Sequence, residues 1–317
     1  MIISSIKNLN VTKDYMKLYG DTVSISVDCD ALAHYLNFAP PGTKVESDPY
    51  TYNVMCRDIL KLFARYGIKA TFFCIADQLD QPETLTVFKE IVAAGHEIGN
   101  HTLSHPEIDS LSDEEHVCDI RGGHEKISNM LGIRPIGYRA PAYYITERGL
   151  HELAELGYLY DSSVCNSRLT RLIMTALSFV EKRFKLKKNS PLHARFSGSE
   201  PCVIVFNDGR ELIEWPIPTA CGVAYYGTLH CSMPAPVFFM QTFLLDFYKR
   251  HIHYEIHPVE VITRECYKEF PWTDTLPFAR RNDLLSWLDM RLKRLTAARS
   301  VITLEELSAS YLHAMQH

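Results

Sequence analysis

The sequence predicts an α/β fold, and three observations carry that prediction. From residue 20 onward, short β-type runs alternate with amphipathic helical stretches. The connections between them are short, and the alternation, broken over 165–252, resumes with a strand, a helix and a last strand near the end of the chain. With 317 residues, 46% hydrophobic and 22% charged, the chain can bury a sizeable core, so disordered and collagen-like classes are excluded.

In chain order, TVSISVDCD (22–30) reads as a strand and KATFFCIA (69–76) as the next. The periodicity of 83–95 predicts a helix stopped by Gly95, with HEIGNH (96–101) as a third strand. Ser112, with Glu115 three residues on, forms a capping box for a helix running to Gly132, although Gly122 and Gly123 weaken its interior. IGYRAP (136–141) reads as a strand, Thr146 caps a helix ending at Gly157, and 158–164 is again a strand. The rhythm breaks over 165–252, where two apolar helical stretches flank a β-type segment. It resumes with HYEIHP (253–258), a helix over 282–299 and a last strand, VITL (301–304). The expected organisation is an N-terminal extension (1–19) and one domain (20–312) with an insertion at 165–252.

The net charge of -5 provides no global basic field, so nucleic acid is not an expected partner. Nine cysteines without a CxxC pair predict reduced, mostly buried thiols rather than a disulfide framework or zinc ribbon. The first residues lack the apolar stretch of a secretory signal, which predicts a cytoplasmic location, and no apolar run is long enough to span a bilayer.

In the first strand Ser24, Ser26, Asp28 and Asp30 point to one face, while Val23, Ile25, Val27 and Cys29 point to the other. Paired acids at a strand end are also compatible with solvation or helix capping. His101 and His105 lie four residues apart, a spacing that lets two imidazoles converge on one ion if the backbone turns there. With Asp30 they would leave open positions for water and substrate, as a catalytic metal site requires.

The ordered set SVDCD, GHEIGNHTLSHP, GYRAP, YDSS and YEIHP resembles the motifs of the polysaccharide deacetylases, the NodB-homology or carbohydrate esterase family 4 group, over roughly residues 20–310. The first motif is a variant, with Cys29 between two acids that are adjacent in many members. The resemblance implies a distorted (β/α)7-type barrel with an inserted helical segment. It implies Asp28 as general base; Asp30, His101 and His105 as ligands of one divalent cation; Arg139 as the partner that holds Asp28; and the backbone N–H of Ala142 in an oxyanion hole. His257 becomes the general acid, with Asp161 expected to orient it. Two imidazoles and a carboxylate suit Zn2+, with Co2+, Ni2+ or Mn2+ able to use the same ligands.

The implied reaction is hydrolytic removal of an N-acetyl, or alternatively N-formyl, group from an aminosugar in surface glycan biosynthesis or modification. One branch that the chain resembles acts on undecaprenyl-phosphate-linked aminosugars. The segment 168–188 carries seven Lys/Arg against one Glu, with apolar residues at helical spacing, and can form a basic amphipathic helix on a membrane; covering the barrel is its other reading. The second apolar stretch, 235–250, is expected to cover the barrel. The loop 34–53 is expected to frame the substrate. Two other functions stay open: hydrolysis of a non-sugar amide or imide, and an inactive glycan- or lipid-binding module.

Overall fold

The computed structural model describes residues 2–8, 21–46, 48–106, 111–167, 169–170, 172, 190–196, 199–249, 251–276 and 283–315. The strands are β1 (Ile3–Asn8), β2 (Thr22–Asp28), β3 (Thr71–Cys74), β4 (Glu97–Asn100), β5 (Gly137–Tyr138), β6 (Tyr160–Asp161), β7 (Cys202–Phe206), β8 (Glu211–Glu214), β9 (Thr219–Ala220), β10 (Val223–Ala224), β11 (His251–Ile256) and β12 (Ser300–Val301). The helices are α1 (Arg57–Tyr66), α2 (Pro82–Ala93), α3 (Asp113–Leu131), α4 (Glu147–Glu155), α5 (Gly227–Ser232), α6 (Ala235–Tyr248), α7 (Arg264–Glu269), α8 (Leu284–Thr296) and α9 (Leu304–Met315).

Among the described residues, seven strands run parallel in the order β11, β2, β3, β4, β5, β6, β8, and β12 pairs parallel with the start of β2 off that path. β7 and β1 extend that sheet antiparallel beyond β8. The segment expected as an insertion therefore supplies one of the seven parallel strands, and the N-terminal extension supplies the edge. The reason is geometric: the hairpin β7–β8 places β8 beside β6 in register with Tyr160 and Asp161.

Every residue of β2 is buried, as expected for a parallel strand covered on both faces. Its alternation separates two environments. Val23, Ile25, Val27 and Cys29 join the main hydrophobic core, whereas Ser24 donates to the Ile302 carbonyl and Ser26 meets His253 Nε2 at 2.9 Å. The inner face is thus a buried polar network that leads to Asp28. β5 and β6 are shorter than the runs predicted for them, and after β5 the backbone leaves the extended region at Ala142.

The capping box at Ser112 and Glu115 forms in both directions, and Gly132, at φ +70°, ends α3. Gly123 explains the glycine pair inside this helix. A Cβ there would stand 2.4 Å from Asn100 Oδ1 and 2.8 Å from the Thr102 carbonyl carbon, so the missing side chain lets α3 press against the loop that carries His101. Gly123→Ala is expected to destabilise the fold by about 1–3 kcal/mol through this overpacking, measured by denaturant titration.

Among the described residues no helix is long and apolar enough to cross a membrane. All nine cysteines are free thiols, six of them buried. The stretch 168–188 falls outside the described residues apart from Leu169, Thr170 and Leu172.

Candidate active site

Asp28 ends β2 and Asp30 follows it, held by the bond from its own N–H to the Asp28 carbonyl at 2.8 Å. His101 directly follows β4, and His105 comes after a tight loop in which Thr102 (φ +72°) and His105 (φ +52°) both take the left-handed region. That loop is pinned: Thr102 Oγ1 accepts the His105 N–H at 3.0 Å, and Asp119 of α3 accepts from both the N–H and the hydroxyl of Ser104. The two turns bring the imidazoles together at a spacing that an extended strand would keep apart.

Asp30 Oδ1 lies 3.4 Å from His101 Nε2 and 3.3 Å from His105 Nε2, and the three ligand-type atoms are all within 4.8 Å of one another. His101 Nδ1 donates to the Arg139 carbonyl at 2.7 Å, which fixes the tautomer and leaves the Nε2 lone pair aimed at Asp30. Asp30 Oδ1 is buried and has no hydrogen-bond partner. Burial pushes this carboxyl up, but the neighbouring His105 and His101 outweigh it and hold Asp30 well below the usual carboxylate range. An ionised carboxylate oxygen without a donor, faced by two imidazole nitrogens, fits a divalent cation.

A second group, Asp28, Glu255 and His257, also brings its ligand-type atoms within 4.8 Å of one another. It fits a cation less well, because positive charge is already present. Arg139, fully buried, donates to Asp28 Oδ1 at 2.6 Å and lies 3.7 Å from Glu255 Oε2. Burial pulls this guanidinium down, yet the charges of Asp28 and Glu255 raise it further, so it stays cationic. Ser26, Ser162 and His253 complete its contacts, and its plane lies 4.3 Å from the centre of the Phe73 ring.

His257 follows β11. Its Nε2 is 3.4 Å from Glu255 Oε1, while its Nδ1 is 3.1 Å from Thr228 Oγ1 and 3.5 Å from Glu260 Oε1. Burial lowers this imidazole, but its hydrogen bond to Glu260 and the charge of Glu255 win and push it up to about 10. Glu260 is anchored behind it by Arg291 at 3.2 Å and accepts the His257 N–H at 3.0 Å.

Asp161 stands elsewhere, which corrects the expectation that it orients His257. It accepts from Ser163 at 2.5 Å and lies beside Glu214 of the neighbouring strand. Burial, followed by the charge of Asp161, raises Glu214 well above the usual carboxylate range. The register β6 against β8 is the reason, since it sets Asp161 opposite Glu214.

Ala142 lies in a short turn, Pro141–Tyr143, with φ +50° and Tyr143 at φ +59°. Two successive left-handed non-glycine residues cost about 1–3 kcal/mol each, and such strain gathers at functional sites. The Tyr143 and Tyr144 N–H groups bond within this turn and Pro141 has none, so Ala142 carries the turn's candidate donor. The Tyr143 side chain also reaches the site, donating to Glu255 at 2.7 Å.

Glu260, Thr228 and Tyr35 carry site contacts that motif reading missed. Glu260 had a signal in the sequence: it lies three residues after His257, the capping-box spacing that it does adopt. Tyr35 presents its ring edge to His257, and its buried hydroxyl has no hydrogen-bond partner. His34 lies against His105, ring centres 4.3 Å apart. The loop after Asp30 thus does border the site.

The family profile described as polysaccharide deacetylase matches residues 47–160, which include His101, His105 and Arg139. Over that segment the chain is similar to the polysaccharide deacetylases. Its similarity to a peptidoglycan-N-acetylglucosamine deacetylase of Bacillus cereus is 33% identity over 100 residues, 32% of this chain and 46% of that protein. The chain spans about half the length of the curated relatives it matches. Two solved structures share the fold. One, from Mycobacterium smegmatis and provisionally named a polysaccharide deacetylase, has a TM-score of 0.59 at 17% identity and covers 93% of this chain and 92% of its own. The other, the allantoinase Puue, has a TM-score of 0.58 at 12% identity and covers 93% and 91%. Asp28, Asp30 and His257 lie outside the matched segment, so their assignment rests on geometry.

Proposed function

We propose that this chain is a metal-dependent hydrolase that removes the N-acetyl group, or less favourably an N-formyl group, from an aminosugar. The observation that carries the reading is the convergence of a cation-type ligand set (Asp30, His101, His105) with a carboxylate (Asp28), 4.0 Å from His101, and an imidazole (His257) grouped with that carboxylate. The names of the matched relatives support the substrate class. A divalent cation held there, with zinc the best fit to two imidazoles and one carboxylate, would polarise the amide carbonyl and acidify water.

The chain's own residues supply the proton transfers. Asp28, oriented by Arg139, takes a proton from the attacking water. The Ala142 N–H is placed to receive the developing oxyanion. His257 then gives its proton to the departing nitrogen, which would otherwise be too poor a leaving group. Glu255 and Glu260 keep His257 protonated through neutral pH. Because Glu260 raises this imidazole, Glu260→Gln is expected to move the alkaline limb of the kcat profile to lower pH, read from rates across pH 6 to 10 on the metal-loaded protein.

Acetate release from N-acetylglucosamine oligosaccharides, lost on chelation and restored by Zn2+, is the expected result of the deciding assay. Release that survives complete metal removal would sink the reading. The likeness to an allantoinase fold favours one rival, opening of a cyclic ureide, and the same assay with allantoin separates the two. Two carriers of the sugar fall within the proposal, a glycan polymer and a polyprenyl phosphate, and acetate release from one but not the other assigns it.

A further inference from the structure

Helix α6 does more than cover the core. Phe238, Gln241, Thr242 and Leu245 are buried: Phe238 packs against Tyr225 and Trp287, Thr242 bonds the Tyr225 hydroxyl at 2.6 Å, and Gln241 meets His230 at 2.8 Å. The opposite face presents Phe239, Met240, Phe243 and Phe247, exposed by 40%, 57%, 57% and 70%. Their spacing of one, three and four residues keeps them on one side of the helix. Asp246, the helix's single ionisable side chain among residues 235–247, is held by Arg294 and Arg299. Four large apolar side chains in a row on water mark an interaction surface.

A second segment enters beside it. The Leu169 N–H donates to Gly222, and Thr170 accepts from Ala224, so residues 169–170 are fastened to the turn and strand of the β9–β10 hairpin; Gln241 of α6 contacts Val223 of the same hairpin. Leu169 and Leu172 are exposed by 39% and 65%. From Leu172 the chain continues into a sequence holding Lys182, Arg183, Lys185, Lys187 and Lys188, with Glu181 as its single acid before residue 189.

We propose that α6, with Leu169 and Leu172, is the face by which this protein docks on an anionic lipid bilayer, the aromatic side chains entering the headgroup boundary, and that the basic sequence following Leu172 supplies charge complementary to lipid phosphates. Apolar insertion and basic attraction together give the two contributions that stable peripheral binding needs. A second copy of the chain is the poorer occupant, since a basic sequence favours an anionic surface over its own like charge. The inference concerns where the protein works and does not rest on the deacetylase reading.

The test is co-sedimentation of the intact protein with phosphatidylcholine vesicles, with and without phosphatidylglycerol. The wild type is expected to bind only the anionic vesicles and to be released by salt. Phe243→Ser combined with Phe247→Ser is expected to weaken that binding about tenfold or more, because two exposed rings no longer insert. The circular dichroism and acetate release of the double variant should stay at wild-type values. Failure of the wild type to bind phosphatidylglycerol vesicles, or equal binding by the double variant, overturns the proposal. A concentration-dependent dimer in light scattering that the double variant abolishes overturns it too, and assigns the face to a second copy.

Discussion

Asp28→Asn is expected to lower kcat by roughly 10²–10⁴-fold, the range that a positioned general base contributes, with metal content unchanged. Asparagine keeps the shape and can still accept the Arg139 hydrogen bond of 2.6 Å, so the fold and the guanidinium's position should survive. What disappears is the lone pair that takes the water proton. The variant also leaves Arg139 facing Glu255 without its stronger anionic partner, which should pull the buried Glu255 carboxylate closer to the guanidinium. Activity on N-acetylglucosamine oligosaccharides measured beside metal content by atomic absorption separates this role from ligation. Full metal occupancy with lost turnover supports the base; joint loss of both would make Asp28 a ligand instead.

His101→Ala should have the opposite signature, a loss of the metal with a loss of activity that follows from it. His101 is the more constrained of the two imidazoles: it is buried, and its Nδ1 is tied to the Arg139 carbonyl at 2.7 Å. Removing such a pre-oriented ligand should reduce metal affinity by more than the ~10–100-fold typical of losing a group behind a ligand. Equilibrium dialysis with Zn2+ and Co2+ reads that affinity directly. Because His101 also abuts Asp28 at 4.0 Å, thermal denaturation of the apoproteins should accompany the comparison, so that a packing defect is not read as lost ligation.

Much of the fold was legible because period and punctuation agree with burial. The Ser112 and Thr146 caps, the glycine stops at 132 and 157 and the alternation of β2 are local chemistry, and they recur in the structure at the predicted residues. The strand β8 was not legible as part of the parallel sheet, because ELIE looks like the second half of any hairpin. Its parallel neighbour, β6, lies fifty residues earlier in the chain, and pairing at that separation is decided by packing.

In the site, the same division holds. Asp28, Asp30, His101, His105, Arg139 and His257 could be named from their motifs, and the fold draws them together. Asp161 shows where motif reading stops. A carboxylate in the expected place along the chain was turned by strand register toward Glu214, and Glu260, nearer in sequence and anchored by Arg291, stands behind His257 in its stead.

By itself, then, the sequence determined the α/β class, the caps and the residue types that chemistry requires, since each depends on neighbours within a few positions. The tertiary structure decided which carboxylate tunes the acid, how His101 and His105 meet through left-handed turns, and that one side of α6 faces outward with its aromatic rings uncovered. Those outcomes depend on the three-dimensional neighbours of each side chain, and such neighbours exist only once distant segments have packed.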